Sequence, residues 1–280
     1  MVEPQEVTHV VYHACCDDGF GAAWAAWKRL GDRATYLPAQ HGDDVVQLPP
    51  GAVVAMVDFS YPRAVIEELS KPLGGLIILD HHLTAQAELE GLPTAVFDME
   101  RSGAHLAWNY FHPGEPLPEL LAYIEDKDLW RFRLPQSREF TAALRSYPMD
   151  FQLWDRLTPE QLKAEGVSLL RLQERLVESH CARARWLELG GYRVPVVNAS
   201  DFRSEIANRL CTLHPQAAFA AAYYDNEDGI RSWSLRSVGD FNVAELCRRW
   251  GGGGHKNAAC FVGQVLEFDF LTAEGQAHLV

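Results

Sequence analysis

The tetrapeptide Leu-Asp-His-His at residues 79–82 constrains this chain more than any other stretch. It closes the apolar run Gly-Leu-Ile-Ile-Leu at 75–79, which reads as a fully buried strand because no polar residue interrupts it. A carboxylate and two imidazoles therefore stand where a buried strand ends. In open α/β sheets, ligands bind outside the carboxyl ends of the strands. The same closure recurs elsewhere. Thr-His-Val-Val-Tyr-His at 8–13 leads into a loop holding Cys16 and Asp18, and the run 52–57 ends at Asp58. Apolar strands that each deliver a carboxylate or imidazole to one edge predict an α/β fold, with a mainly parallel sheet flanked by helices and a metal centre at that edge.

The loop after the first strand, His-Ala-Cys-Cys-Asp-Asp-Gly-Phe-Gly at 13–21, runs into a strongly helical stretch at 22–30. Gly19 and Gly21 let the backbone turn tightly and approach a bound group. His13, Cys16 and Asp18 stand at offsets of zero, three and five, within reach of one ion. The plainer reading is a strand-end histidine, a buried cysteine and a helix cap. Pro62 opens a helix to residue 69, 94–98 reads as a further strand, and 102–111 has helical rhythm, with His105 as a structural histidine. The helix beginning at Glu119 ends in Asp126 and Asp128. Acids are disfavoured at a helix C-terminus unless a cation is near. A metal would be that cation, so Asp126 reads as a ligand with Asp128 as its near neighbour; a solvated helix end is the bland alternative. Carboxylates and imidazoles together suit Mn²⁺, with Mg²⁺, Fe²⁺, Co²⁺ and Zn²⁺ as other occupants. A pair of ions could share a bridging carboxylate.

The chain has 280 residues, more than the roughly 100–200 of one typical domain, so two domains are expected. Residues 151–190 read as a helical connector. Beyond them lie predicted strands at 193–198, 217–224 and 232–237 and helices at 204–210 and 242–250, a smaller α/β unit. Between its last helix and a final apolar segment stands Gly-Gly-Gly-Gly-His at 251–255. Consecutive glycine amides suit an anion nest, although linkers use glycine too. Gly252, Gly253 and Gly254 are thus candidate phosphate contacts. Arg236, otherwise an ordinary surface arginine, could add a bidentate guanidinium, and His255 a proton-bearing donor. A net charge of −13 argues against broad binding of long nucleic acid and favours a small anionic phosphate-containing substrate or a short nucleic acid. The six cysteines show no dense disulfide spacing, and neither a signal peptide nor an apolar run of about 18 residues is visible. A cytoplasmic protein with reduced thiols and no membrane partner is the expectation, with a homodimer left open.

Taken together, His13-x-x-x-x-Asp18-Gly19, Asp58, Asp80-His81-His82 and Asp126 resemble the four motifs of the DHH phosphoesterase superfamily. Arg236-Ser237 and Gly-Gly-Gly-Gly-His-Lys-Asn-Ala-Ala at 251–259 resemble its DHHA1 substrate domain. The resemblance implies a DHH catalytic domain over 1–150, the connector at 151–190 and a DHHA1 domain over 191–280. It implies one or two divalent ions, Mn²⁺ first, held by His13, Cys16, Asp18, Asp58, His81 and Asp126, with Asp58 bridging. His82 would contact the scissile phosphate, Asp80 would orient the histidine pair, and Arg236, Gly252, Gly253, Gly254 and His255 would hold the rest of the substrate. The implied activity is hydrolysis of a phosphodiester or phosphomonoester of a short nucleotide or nano-RNA by a metal-activated water. Exopolyphosphatase activity is the alternative, followed by a degenerate nucleotide-binding regulatory protein. Two positions depart from the pattern. Cys16 replaces the first aspartate of His-x-x-Asp-x-Asp-Gly, and Cys260 replaces a glycine after the Ala-Ala pair.

Overall fold

The computed structural model describes residues 2–227 and 229–264, so 265–280 of the expected second domain lie outside the described residues. The chain divides into two compact units, residues 1–170 and 171–280. In the first, β1 (His9–His13), β2 (Thr35–Ala39), β3 (Val53–Val57), β4 (Gly75–Asp80) and β5 (Ala95–Phe97) form one parallel sheet in the order β2-β1-β3-β4-β5. The helices of this unit are α1 (Asp17–Leu30), α2 (Arg63–Ser70), α3 (Leu83–Glu88), α4 (Gly103–Phe111), α5 (Glu119–Asp128), α6 (Ser137–Leu144) and α7 (Phe151–Trp154).

Side chains alternate across the sheet. Val10, Ala55, Val57, Ile77 and Leu79 pack with Trp24 of α1, Ala107 of α4 and Leu121 of α5. Val11, Val54, Met56, Leu76 and Ile78 pack on the other face with Ile66 of α2. Both faces are covered, and for that reason the strands read as unbroken apolar runs. The chain goes from β1 to β2 on one side and returns to β3 on the other. The carboxyl ends of β1 and β3 thus flank a topological switch point, where open sheets of this order bind ligands. Register completes the arrangement. Val57 is level with Tyr12 on one side and Leu79 on the other. The next residues, His13, Asp58 and Asp80, therefore leave the sheet side by side.

Helix α8 (Pro159–Cys181) runs through the division between the units. In the second unit, β6 (Arg185–Leu189), β7 (Tyr192–Asn198), β8 (Ala220–Asp225), β9 (Ile230–Arg236), β10 (Gly253–His255) and β11 (Ala258–Gln264) form a sheet in the order β10-β11-β9-β8-β7-β6. Only the β7–β8 pairing is parallel. One face packs Val196, Trp233, Leu235 and Phe261 against α10 (Val243–Arg248), and the other packs Val197, Ala220 and Ala222 against α9 (Arg203–Leu213). Neither β2 nor β6 is marked in the sequence as a strand. Each is a largely solvent-facing edge without a continuous apolar run, and β6 falls within the stretch read as connector. Among the described residues no helix is long and apolar enough to cross a membrane.

Candidate metal centre

The backbone is shaped closely at this edge. Asp58 leaves β3 with φ 55°, a left-handed conformation that aspartate tolerates better than most residues. Gly19, in the first turn of α1, passes so close to the end of β1 that a Cβ there would lie 2.2 Å from the His13 carbonyl oxygen. Gly103, at the start of α4, leaves no room either: a Cβ would lie 2.4 Å from Asp58 Cβ and 2.6 Å from its Oδ1. The amides of Gly103 and Ala104 donate to Asp18 Oδ2 and Oδ1 at 2.6 and 3.0 Å, so the N-terminus of α4 fixes this carboxylate in place.

Asp58 is 1% exposed, and its two oxygens face different neighbours. Oδ2 lies 3.6 Å from His13 Nδ1, and Oδ1 lies 3.1 Å from His81 Nε2. Around this carboxylate lie several groups of potential ligands, among them two that share no residue and a further one of Asp58, Asp80 and His82. His13, Cys16 and Asp58 present donor atoms within 4.8 Å of one another, as do Asp18, His81 and Asp128. In the second group, His81 Nε2 is 3.5 Å from Asp18 Oδ2 and 3.6 Å from Asp128 Oδ2. Neither His13 Nδ1 nor Asp58 Oδ1 is aligned for a hydrogen bond with any neighbour, although both are buried atoms. Buried polar atoms without hydrogen bonds are uncommon. These converge with carboxylates, imidazoles and a thiol, so the residues fit divalent cations, with Asp58 between the two groups.

The electrostatics fit as well. Burial, then the charges of Asp58 and Asp128, push Asp18 well above the usual carboxylate range. Burial opposes ionisation of Asp58 too, but His13 and His81 overcome it and hold Asp58 well below that range. Burial alone would lower both histidines, yet the pull of Asp58 and Cys16 raises His13 to about 11, and that of Asp58, Asp128 and Asp18 raises His81 to about 11. Burial pushes the Cys16 thiol up. A cluster this rich in carboxylate holds protons on its other groups, and a divalent cation would relieve the same repulsion.

Asp80, 1% exposed, stands beside the cluster as an organiser. It accepts from Ser60 Oγ at 3.1 Å, from the amides of His81 and His82 at 2.7 and 3.2 Å, and from His82 Nδ1 at 2.7 Å. Burial opposes its charge, but His82 overcomes that and holds Asp80 below the ordinary range.

The structure brings together His13, Cys16, Asp18, Asp58 and His81, but not Asp126. Two positions on a helix are about 200° apart, so Asp126 and Asp128 point to different sides of α5. Asp126 accepts from the amides of Arg133 and Leu134 at 2.8 and 3.1 Å, and its carbonyl accepts from those of Arg131 and Phe132. It ties down the loop that follows the helix, in which Trp130 and Phe132 both have positive φ. Asp128 is the acid that faces His81. Sequence reasoning also passed over Ser60, Gly103 and His41. The His41 ring lies 6.0 Å from that of His13 and 4.8 Å from Phe59. Although the residue as a whole is exposed, desolvation of its ring and the charges of His13 and His82 push it down to about 4. His105 is structural: its Nδ1 is 2.7 Å from Glu125 Oε2.

In the second unit, the glycines at 251–254 do more than expose amides. Gly251 has φ 73°, and the amides of Gly251 and Gly252 donate to the carbonyls of Arg248 and Cys247, which is a Schellman ending to α10. These two amides are thus spent at a helix C-terminus, so the four-amide nest read from the sequence is not formed. A Cβ on Gly252 would lie 2.1 Å from the Cys260 carbonyl oxygen. Gly253, Gly254 and His255 form the edge strand β10 against β11. His255 and Arg236 are both level with Ala258, so they share one row of the sheet. Arg236 donates to Ser204 Oγ at 2.6 Å and to the Leu235 carbonyl at 2.8 Å. Nothing in the structure explains Cys260 in place of glycine.

No protein-family model matches the chain. It is 31% identical over 281 residues to the uncharacterized protein R106 of Acanthamoeba polyphaga mimivirus, covering 91% of this chain and 67% of that protein. Among solved structures it is similar to the DHH domain of a member of a family of ribosomal proteins (TM-score 0.55, 13% identity, 94% of this chain and 86% of that one). It is also similar to an exopolyphosphatase-related protein from Bacteroides fragilis (TM-score 0.52, 14% identity, 92% and 86%). A third is RecJ in complex with Mn²⁺ from Thermus thermophilus (TM-score 0.52, 16% identity, 93% and 50%).

Proposed function

Because the chain belongs with the mimivirus protein R106 in one family and has the fold of the DHH superfamily, we propose that it is a metal-dependent phosphohydrolase that cleaves a phosphoester of a short nucleotide. One observation carries the reading: the buried Asp58 carboxylate directs one oxygen to His13 and the other to His81, on strand ends that stand side by side. Mn²⁺ suits the carboxylate–imidazole donors and is the ion held by the RecJ of similar fold. When bound, such ions supply charge for the phosphoryl oxygens and lower the pKa of a bound water.

The chain's own residues would act around that centre. His13, Cys16, Asp18, Asp58, His81 and Asp128 hold the ions. Asp80 accepts from His82 Nδ1 and fixes the ring's orientation, with the backbone bonds of Asp80 holding that geometry, so that Nε2 would donate to a phosphoryl oxygen when the ring is the doubly protonated imidazolium. That imidazolium would steady the charge that develops on the phosphoryl group. Arg236, Gly253, Gly254 and His255 of the second unit are proposed as anion contacts, with Gly252 serving their backbone geometry. The net charge of −13 supports a compact substrate over a long strand.

A second reading, hydrolysis of terminal phosphoanhydrides, is supported by the fold of the exopolyphosphatase-related protein. The test is product release with Mn²⁺ from a 5′-phosphorylated dinucleotide and from long-chain polyphosphate, with Asp58→Ala as control. Turnover of the dinucleotide, abolished in the control, is expected. Turnover of polyphosphate alone favours the second reading, and no turnover of either by metal-loaded protein overturns both.

A further inference from the structure

The two groups of donors around Asp58 are chemically unlike. One is built of Asp18, His81 and Asp128, two carboxylates and an imidazole. The other is built of His13, Cys16 and Asp58, and so contains a thiol. The cysteine is no ordinary core residue. Cys181, Cys211 and Cys247 are buried among apolar side chains, while Cys15 and Cys260 are exposed. Among the described residues, Cys16 alone of the cysteines shares a group with a histidine and a carboxylate. Its place at the N-cap of α1 gives it no capping hydrogen bond, so its sulfur has no role in starting the helix. The carboxylate it faces is 1% exposed and has an oxygen aligned with no donor.

Thiolate, imidazole and carboxylate on one ion form a soft, three-ligand set of the kind that holds catalytic Zn²⁺ with a position left open. Carboxylate-rich sets instead suit Mn²⁺ and Mg²⁺. We propose that the His13–Cys16–Asp58 half of the centre takes a thiophilic ion of the Zn²⁺ kind, while the Asp18–His81–Asp128 half takes a harder ion, so that Asp58 joins two unlike metals. This rests on the metal-centre reading above and specifies which ions it uses. Almost any such site prefers Zn²⁺ to Mn²⁺, so the diagnostic quantity is the difference between the halves.

The probe is Co²⁺, added to the metal-free protein and followed by absorption. Wild type is expected to show a near-ultraviolet sulfur-to-cobalt charge-transfer band that saturates with one of two bound equivalents. Cys16→Asp is expected to lose that band while still binding Co²⁺. Aspartate is a favoured N-cap residue, so this variant keeps the start of α1. Competition then reads the preference directly. In wild type, Zn²⁺ displaces one equivalent far more readily than Mn²⁺ does, and in Cys16→Asp the two equivalents become alike. Two bound equivalents without a sulfur band, or a band that survives Cys16→Asp and disappears in Cys15→Ser, overturn the proposal and leave the phosphohydrolase reading intact. A sulfur band in a protein that turns over no phosphoester supports the unlike pair and counts against the phosphohydrolase. Absence of any bound metal overturns both.

Discussion

Asp126 and Asp128 divide two tasks that one sequence motif had joined. Asp126 supplies both carboxylate oxygens to backbone amides of the following loop, whereas Asp128 turns to His81. Asp126→Ala should therefore cost about 1–3 kcal/mol of stability by leaving those amides without an acceptor, read as a lower urea midpoint, with metal stoichiometry retained. Asp128→Asn should do the reverse, leaving the midpoint of metal-free protein nearly unchanged. It should weaken metal binding by more than the roughly 10–100-fold typical of losing an outer partner. If Asp126→Ala removes the metal and Asp128→Asn does not, the assignment is wrong. Gly103→Ala offers a sharper test of packing. The added methyl would meet Asp58 Cβ at 2.4 Å, so either the start of α4 or the carboxylate must shift. An overpacking cost of about 1–3 kcal/mol and reduced metal occupancy are expected by denaturation and titration. A glycine standing three residues after a polar turn gives no sequence hint that it borders a strand end 45 residues earlier.

At the scale of elements, α4 and α5 share an apolar core and are also joined by a small polar network. Glu125 of α5 accepts from the Ser102 amide at 3.2 Å, lies 2.7 Å from His105 Nδ1, and has Arg101 at 3.4 Å. Burial opposes its charge, but His105, the Ser102 amide and Arg101 overcome that and hold Glu125 below the ordinary glutamate range. The sign follows from linkage. A carboxylate whose pKa is lowered on folding contributes stability that is fully present above its unfolded value, about 4.3. That stability is lost as pH falls through the lower folded value. Wild type should thus lose stability on acidification below about pH 4.3 more steeply than Glu125→Gln, measured by urea unfolding between neutral and acid pH. Equal slopes would assign the network no electrostatic role. Most of the longer helices were legible, from apolar rhythm or a proline start, but the short helices α3 and α6 and the strands β2, β6 and β10 were not. Edge strands bury little, and a glycine strand has no side chains to alternate.

For the molecule as a whole, every residue of the candidate metal centre, from His13 to Asp128, belongs to the first compact unit. Metal that binds only the folded state adds about 2.7 kcal/mol when free metal is about 100 times its dissociation constant. For a unit of this size that is a shift of roughly 5–10 °C. Removing metal with a chelator should lower amide protection in β1, β3 and β4 and leave β7, β8 and β9 largely unchanged, as read by hydrogen exchange. Uniform loss across both sheets would contradict a centre confined to residues 1–170. The sequence by itself determined the parallel sheet and the carboxyl-edge placement of His13, Asp58, Asp80 and His81. A strand buried on both faces must be apolar until it ends, and polar groups can appear only where it leaves the core. What only the tertiary structure decided was selection among near neighbours. Which of Asp126 and Asp128 faces His81, the meeting of Cys16 with His13 and Asp58, the binding of Asp18 by the start of α4, and the Schellman turn at Gly251 all depend on how helices dock and loops close. Those outcomes turn on fractions of a helical turn and on contacts across scores of residues, which local spacing does not encode.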